Sequence, residues 1–145
     1  MRFMIIVKAS AQSEAGAMPE DSLIAEMAKF HEELAQAGML LDCSGLKPSS
    51  AGWRVRYAGG QRTVIDGPFA ETKELIAGYT LIKARSRQEA LEWTRRFPNP
   101  HRSDCEIEVR PLFELEDFAH TEAVDRFREL EAVKQASAQP SSTQQ

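Results

Sequence analysis

The residues best suited to chemistry in this chain crowd into one short stretch, Val64-Ile65-Asp66-Gly67-Pro68-Phe69-Ala70-Glu71-Thr72-Lys73-Glu74. Asp66 and Glu71 are carboxylates that can act as general bases, and Lys73 can hold the charge of an anionic substrate. The backbone between them is constrained. Gly67 tolerates a positive φ that other residues resist. Pro68 fixes its own φ, has no N–H to donate, and steers the preceding residue away from helix. Asp66 is a turn former whose carboxylate can accept from backbone N–H groups just ahead of it. Asp66-Gly67-Pro68 is therefore expected to end a strand over 62–65 in a stiff corner. Phe69 supplies an apolar anchor, and 70–74 can make one helical turn with its positive end near Asp66.

Two readings fit this stretch. In the structural one Asp66 caps the turn, Phe69 packs, and Glu71, Lys73 and Glu74 are solvated. In the functional one a held carboxylate and a nearby ammonium face a small polar or anionic ligand. Arg54, Arg56 and Tyr79 would converge on it from neighbouring strands, with Phe69 as an apolar wall. The chemistry would be proton transfer of isomerase or lyase type, with Asp66 or Glu71 as base and Lys73 or Arg56 holding substrate charge. Binding without chemistry fits the same residues.

Other chemistries lack their residues. His31, His101 and His120 form no close pair with another His or Cys at metal-ligand spacing, so no metal site is expected. Without Gly-x-Gly-x-x-Gly or Gly-x-x-x-x-Gly-Lys there is no sequence support for a nucleotide cradle, and no cofactor is expected. There is no Gly-x-Ser-x-Gly elbow. Cys43 follows Asp42, whose charge disfavours a thiolate. His31 reads as a half-buried structural histidine, and His101, in a proline-rich loop, as exposed.

The elements that must position these groups follow in order. Residues 2–8 are an apolar run of β-formers, expected as a central strand buried on both faces. The small and polar 9–19 reads as a loop. Pro19, Glu20 and Asp21 suit the start of a helix. Leu23, Met27, Phe30 and Leu34 repeat at helical spacing, and Gly38 stops it. Residues 39–46 return as a strand and 47–52 as a loop. Trp53-Arg54-Val55-Arg56-Tyr57 alternates, placing Trp53, Val55 and Tyr57 on one face and both arginines on the other. Ala58-Gly59-Gly60-Gln61 is a hairpin turn that sends the chain back into Asp66. Arg54 or Arg56 comes within reach of Asp66 if the register allows it. Residues 75–84 form a strand in which Gly78 marks close approach of a backbone or ligand. Ser86 and Glu89 have capping-box spacing. Ala90, Trp93, Thr94 and Phe97 make a helix stripe that Pro98 and Pro100 end. Residues 106–110 alternate, and Pro111 suits an edge strand. A further amphipathic helix is expected over 119–135, and the Ser/Gln-rich 136–145 reads as a disordered tail.

Composition bounds the partners. A chain of 145 residues is one domain with room for a core. Its apolar runs are too short for a membrane span, and Met1 to Val7 do not resemble a signal peptide, so the expected location is the cytoplasm. Cys43 and Cys105 then read as free thiols. A net charge of −4 argues against nucleic acid, although arginines bunch at 54, 56 and 62 and again at 95, 96 and 102.

The stretch Asp66-Gly67-Pro68-Phe69, followed by Ala70-Glu71-Thr72-Lys73-Glu74, resembles the signature of the DGPF-domain proteins of the YCII-related family. The likeness extends to Glu33–Leu41 and Gly45-Leu46-Lys47-Pro48 before it. After it come Ile76-Ala77-Gly78-Tyr79, Ala90-Leu91-Glu92-Trp93 and 107–111, so that it covers residues 1–118. The resemblance implies an α+β, ferredoxin-like βαββαβ fold of the dimeric α+β barrel type. It carries an inserted β-hairpin and an extra C-terminal helix, and forms a homodimer through the open face of the sheet. Shorter YCII-like relatives are thought to use a histidine early in the first helix. That position falls near Met27 here, so no catalytic histidine carries over. DGPF genes often lie beside sigma-factor genes, which implies the alternative of a non-catalytic regulatory or sensing protein.

Overall fold

The computed structural model describes residues 1–138. They form six strands, β1 (Arg2–Lys8), β2 (Leu40–Gly45), β3 (Trp53–Ala58), β4 (Gln61–Asp66), β5 (Ile76–Lys83) and β6 (Ile107–Pro111). The helices are α1 (Ala11–Glu14), α2 (Asp21–Gln36), α3 (Arg87–Thr94) and α4 (Glu122–Ala138), with three short 3-10 turns between elements. The chain divides into two units, Met1–Leu112 and Phe113–Gln145. The protein is α+β, with antiparallel sheets.

In the first unit β1 is central. It pairs antiparallel with β5 on one side and β6 on the other, and β2 adds to the far side of β5, giving the order β2-β5-β1-β6. Pro111 accordingly ends an edge strand, where a missing N–H leaves no ladder bond unmade. The register places Phe3 opposite Ile82 and Ile5 opposite Thr80, so these side chains share a face. Phe30 and Leu34 of α2 and Ala90 of α3 join Phe3, Ile5 and Ile82 in one core. Ile5, Leu34 and Ile82 are fully enclosed, each worth about 1.5–3 kcal/mol of burial. The rings of Phe30, Trp93 and Phe97 meet edge to face at 5.3–6.2 Å and close one end of the layer.

The opposite face of β1 departs from the expectation of burial on both sides. Met4, Ile6, Tyr79 and Leu81 are only half-buried, because neither α2 nor α3 reaches them. Within this unit the sheet has one committed face and one open one.

A partly buried polar contact joins α2 to β5 at the edge of the core. The His31 ring bonds the Met27 carbonyl at 2.6 Å through Nδ1 and the Thr80 hydroxyl at 2.7 Å through Nε2. A carbonyl only accepts, so Nδ1 carries the proton, and in the neutral ring Nε2 accepts from Thr80. His31 is a satisfied structural histidine. His101 departs from its expected exposure: it is half-buried, and its Nε2 donates to the Lys8 carbonyl at 2.7 Å.

Two local differences have clear causes. The 9–19 segment contains a helical turn, α1, because Ser10 and Ser13 cap each other reciprocally. At α3 the Ser86 hydroxyl accepts from the Glu89 N–H at 3.1 Å, as the spacing suggests, but the return bond shifts. Glu89 accepts from the N–H of Arg85 at 2.7 Å and from its guanidinium at 3.2 Å.

The β3–β4 pair forms a separate two-stranded ribbon joined by Gly59 and Gly60, both at positive φ as a tight hairpin turn requires. In the second unit the rings of Phe113 and Phe118 lie 5.2 Å apart. The helix α4 begins at Glu122, after Thr121, whose hydroxyl accepts from the Val124 N–H. It runs through 136–138, the first three residues of the expected tail; the rest of that tail, 139–145, lies outside the described residues.

The Arg85 backbone N–H and then its guanidinium hold the Glu89 carboxyl below its ordinary value. Its folded value is therefore lower than its unfolded one. The stabilisation is complete above the unfolded value and fades as pH falls through the folded one. Carboxyl titration by NMR should show Glu89 ionising below the ordinary glutamate value, with α3 amide protection fading in that window. Glu89→Gln should remove the pH-dependent part of the fading.

Candidate functional site

The Asp66 corner is built where three segments meet at one end of the sheet. The first is the chain leaving β1: the Ala9 N–H donates to the Leu75 carbonyl at 3.0 Å, and α1 delivers Glu14. The second is the 3-10 turn Ser49–Ala51, entered through Pro48. The third is the corner itself, followed by the 3-10 turn Thr72–Glu74.

Ser49 ties them together. Its hydroxyl donates to Glu14 Oε2 and accepts from the Phe69 N–H at 3.1 Å, while its own N–H donates to Glu14 Oε1 at 3.0 Å. The Gly67 N–H donates to the Gly52 carbonyl at 3.0 Å and closes the base of the ribbon. Gly67 is needed here for a different reason than a left-handed turn. It is not among the positive-φ glycines, but a Cβ on it would overlap the carbonyl oxygen of Ser49, a backbone atom that cannot swing aside. The Gly67–Pro68 peptide is cis. Gly78 follows the same logic of space: an added Cβ would sit 2.9 Å from the Ser44 carbonyl oxygen on β2.

The register settles which groups share a face. Asp66 pairs with Trp53, and Arg54 pairs with Ile65. Directly paired residues face the same side, so Asp66 lies with Trp53, Val55 and Tyr57, and both arginines lie on the other side. Arg54 instead stacks on Phe69, its guanidinium carbon 3.8 Å from the ring centroid. Arg56 projects from the same ribbon face two residues on. Glu71 and Lys73 are exposed in the turn after the corner. Tyr79 stands on the open face of the sheet, where its hydroxyl donates to Asp42 Oδ2 at 2.9 Å.

Of the seven residues singled out from the sequence, the structure thus brings Arg54 and Phe69 into contact. It keeps Asp66, Glu71 and Lys73 on one exposed corner, and places Tyr79 on the sheet. The Asp66 carboxylate is exposed and accepts no hydrogen bond among the described residues, so the capping role assigned to it falls to Ser49. Ser49 and Glu14 were missed by sequence reasoning. Pro48-Ser49-Ser50 is the spacing of a capped turn, but nothing local indicates that its partner lies 35 residues earlier.

The described surface has hollows at two places away from the corner. One is at the ribbon tip, lined by residues 57–62; the other lies between α3 and β6, lined by Phe97, Pro100, Cys105 and Ile107 among others. Neither includes the corner. Among the described residues no three of His, Cys, Asp and Glu gather as a metal shell would require, and no helix is long and apolar enough to cross a membrane.

A sequence profile of the YCII-related domain matches residues 1–116, the whole sheet unit and the corner within it. The chain belongs to the YCII-related family. It is also similar to the uncharacterized protein R00369 of Rhizobium meliloti (strain 1021), 36% identical over 93 residues, which cover 64% of this chain and 75% of that one. Residues 1–116 of this YCII-related chain contain every residue of the corner and both strands of the ribbon.

Ser49 and Asp66 should separate on mutation. Ser49→Ala removes the acceptor of the Phe69 N–H and the donor to Glu14, and should lower stability by about 1–2 kcal/mol. Asp66→Asn removes no hydrogen bond and should stay within about 0.5 kcal/mol of the parent. Urea unfolding of both variants checks the contrast; a large loss in Asp66→Asn would restore its capping role.

Proposed function

We propose that this YCII-related protein is a homodimer, packed through the open face of its sheet, that binds a small polar or anionic molecule. The observation that carries the reading is that open face. Met4, Ile6, Tyr79 and Leu81 form an apolar centre that the helices of the unit leave uncovered. A sheet with helices on one side only is stable when something apolar covers the other. The strand order β2-β5-β1-β6, with α2 and α3 as the two crossovers, supports the ferredoxin-like description and with it the dimeric α+β barrel. The 1–118 segment is then the dimerising domain, and the DGPF description fits the Asp66–Phe69 corner.

The ligand site in this reading lies at the corner, completed by the second copy. Asp66, Glu71 and Lys73 have no side-chain partner among the described residues, so their hydrogen-bonding capacity is open to a ligand. Arg54 and Arg56 supply positive charge from the ribbon face opposite Asp66, on the side of Phe69, which adds an apolar surface, and Tyr79 offers a hydroxyl on the sheet. Where the bound molecule carries an acidic C–H, Asp66 or Glu71 acts as general base and Lys73 or Arg56 holds the developing negative charge.

Light scattering at micromolar concentration should give the mass of two chains. A thermal-shift screen of small carboxylates and amino acids should then find a compound that raises the melting temperature. That rise should disappear in Lys73→Ala or Arg56→Ala while the dimer persists. A monodisperse monomer overturns the assembly. Ligands whose effect survives both substitutions overturn the site. Binding without turnover of any hit would favour a sensing role over catalysis.

A further inference from the structure

The β3–β4 ribbon is the part of the molecule whose own surroundings explain it least. Every residue of both strands is exposed. One face turns toward the body: Arg54 lies on Phe69. The other carries Trp53, Val55, Tyr57 and Val64, which are 66%, 42%, 69% and 65% exposed. That is a contiguous aromatic and aliphatic strip on a two-stranded hairpin, and such hairpins are marginally stable in water without an apolar surface to pack on. The geometry points to an arm: we propose that, in the homodimer argued above, each ribbon lays this strip across the second copy of the chain and clasps it. The proposal rests on that dimer reading.

Two quantities identify the occupant as a second copy. The first is area. Strands about 4.8 Å apart rising about 3.3 Å per residue give a four-stranded sheet of this length a face of about 400 Å². Two such faces in contact bury about 800 Å², short of the roughly 1,200–2,000 Å² of a stable interface. The ribbon offers about another 200 Å². In a two-fold dimer the clasp occurs twice, and each contact buries both partners, which brings the total to about 1,600 Å². The arm brings the interface into the range of a stable dimer.

The second quantity is charge. The strip face carries one arginine, Arg62, and one aspartate, Asp66, a net charge of zero, while Arg54 and Arg56 lie on the other face. Arg62 stacks on Tyr57 at 5.2 Å, on the same face as the apolar strip. Tyrosine, tryptophan and arginine in one strip is the composition of a protein–protein interface core. A strip without net charge suits a protein surface rather than a polyanion, and the area makes that surface the second copy.

Trp53 provides the test, since Trp93 is the other tryptophan and the Trp53→Phe protein supplies its signal for subtraction. In the full chain, Trp53 emission should be shielded from acrylamide in the dimer and become water-like on dilution through the dissociation constant. The pair Val55→Thr with Val64→Thr keeps strand-forming side chains while removing the apolar strip. It should weaken dimerisation at least tenfold by sedimentation, with circular dichroism unchanged. A second variant, Tyr57→Ser, should do the same to a lesser degree. A dimer with Trp53 fully quenchable and affinity unaltered by both variants rejects the arm and leaves the sheet-face dimer standing. A monomer throughout rejects both. Shielding of Trp53 only on addition of a single-stranded oligonucleotide would reassign the strip to nucleic acid and overturn the proposal.

Discussion

The Ser49 side chain is the joint on which the candidate site depends. Its hydroxyl faces a donor and an acceptor at once, the Phe69 N–H and the Glu14 carboxylate, from segments on either side of it in sequence. Both of its groups are used, so the turn at 49–51 cannot drift without breaking a bond to α1 or to the corner. The contact is close enough that the backbone of residue 67 lies directly against the Ser49 carbonyl, which is why glycine stands there. A polar hinge of this kind specifies position in three directions, where apolar packing alone would leave the corner free to slide.

The sheet imposes the complementary constraint. Its helix side is committed, with Ile5, Leu34 and Ile82 sealed and His31 bonded to Thr80 at the layer boundary. The bond matters because a threonine hydroxyl buried among Phe3, Ile5 and Ile82 would otherwise lose its water without compensation. The other side, with its Tyr79–Asp42 bond and half-buried Met4 and Ile6, is built like an interior surface with nothing of its own unit over it. The sheet is therefore sealed behind its strands and, within its own unit, uncovered in front of them.

Much of this was legible in the residues, and the parts that were not have a common cause. The α2 stripe of Leu23, Phe30 and Leu34, the Gly59-Gly60 turn, the alternation of Trp53 to Tyr57 and the close approach at Gly78 are local patterns, and each appears where its period or conformation demands. The corner at Asp66-Gly67-Pro68 was also visible, but its mechanism was misassigned. The sequence suggests an aspartate that caps itself, whereas the working contact comes from Ser49. Likewise, nothing local tells which face of the ribbon Asp66 will share with Trp53, because register is fixed by pairing between strands. Glu14, Ser49 and His101 were missed because their partners lie 35, 20 and 93 residues away in sequence.

The closed base of the ribbon has a corollary for how such a chain can diversify. The Gly67–Gly52 hydrogen bond seals the stem, and a two-residue Gly-Gly loop seals the tip, so everything between is a self-contained ladder. Rungs can be added or excised there without altering the pairing of β1, β2, β5 or β6. Side chains alternate sides at every rung, so only changes of two rungs at a time, about 7 Å, keep the same residues facing the same way. The reach of the ribbon is thus graded in discrete increments, a ruler whose markings are set by the pleat.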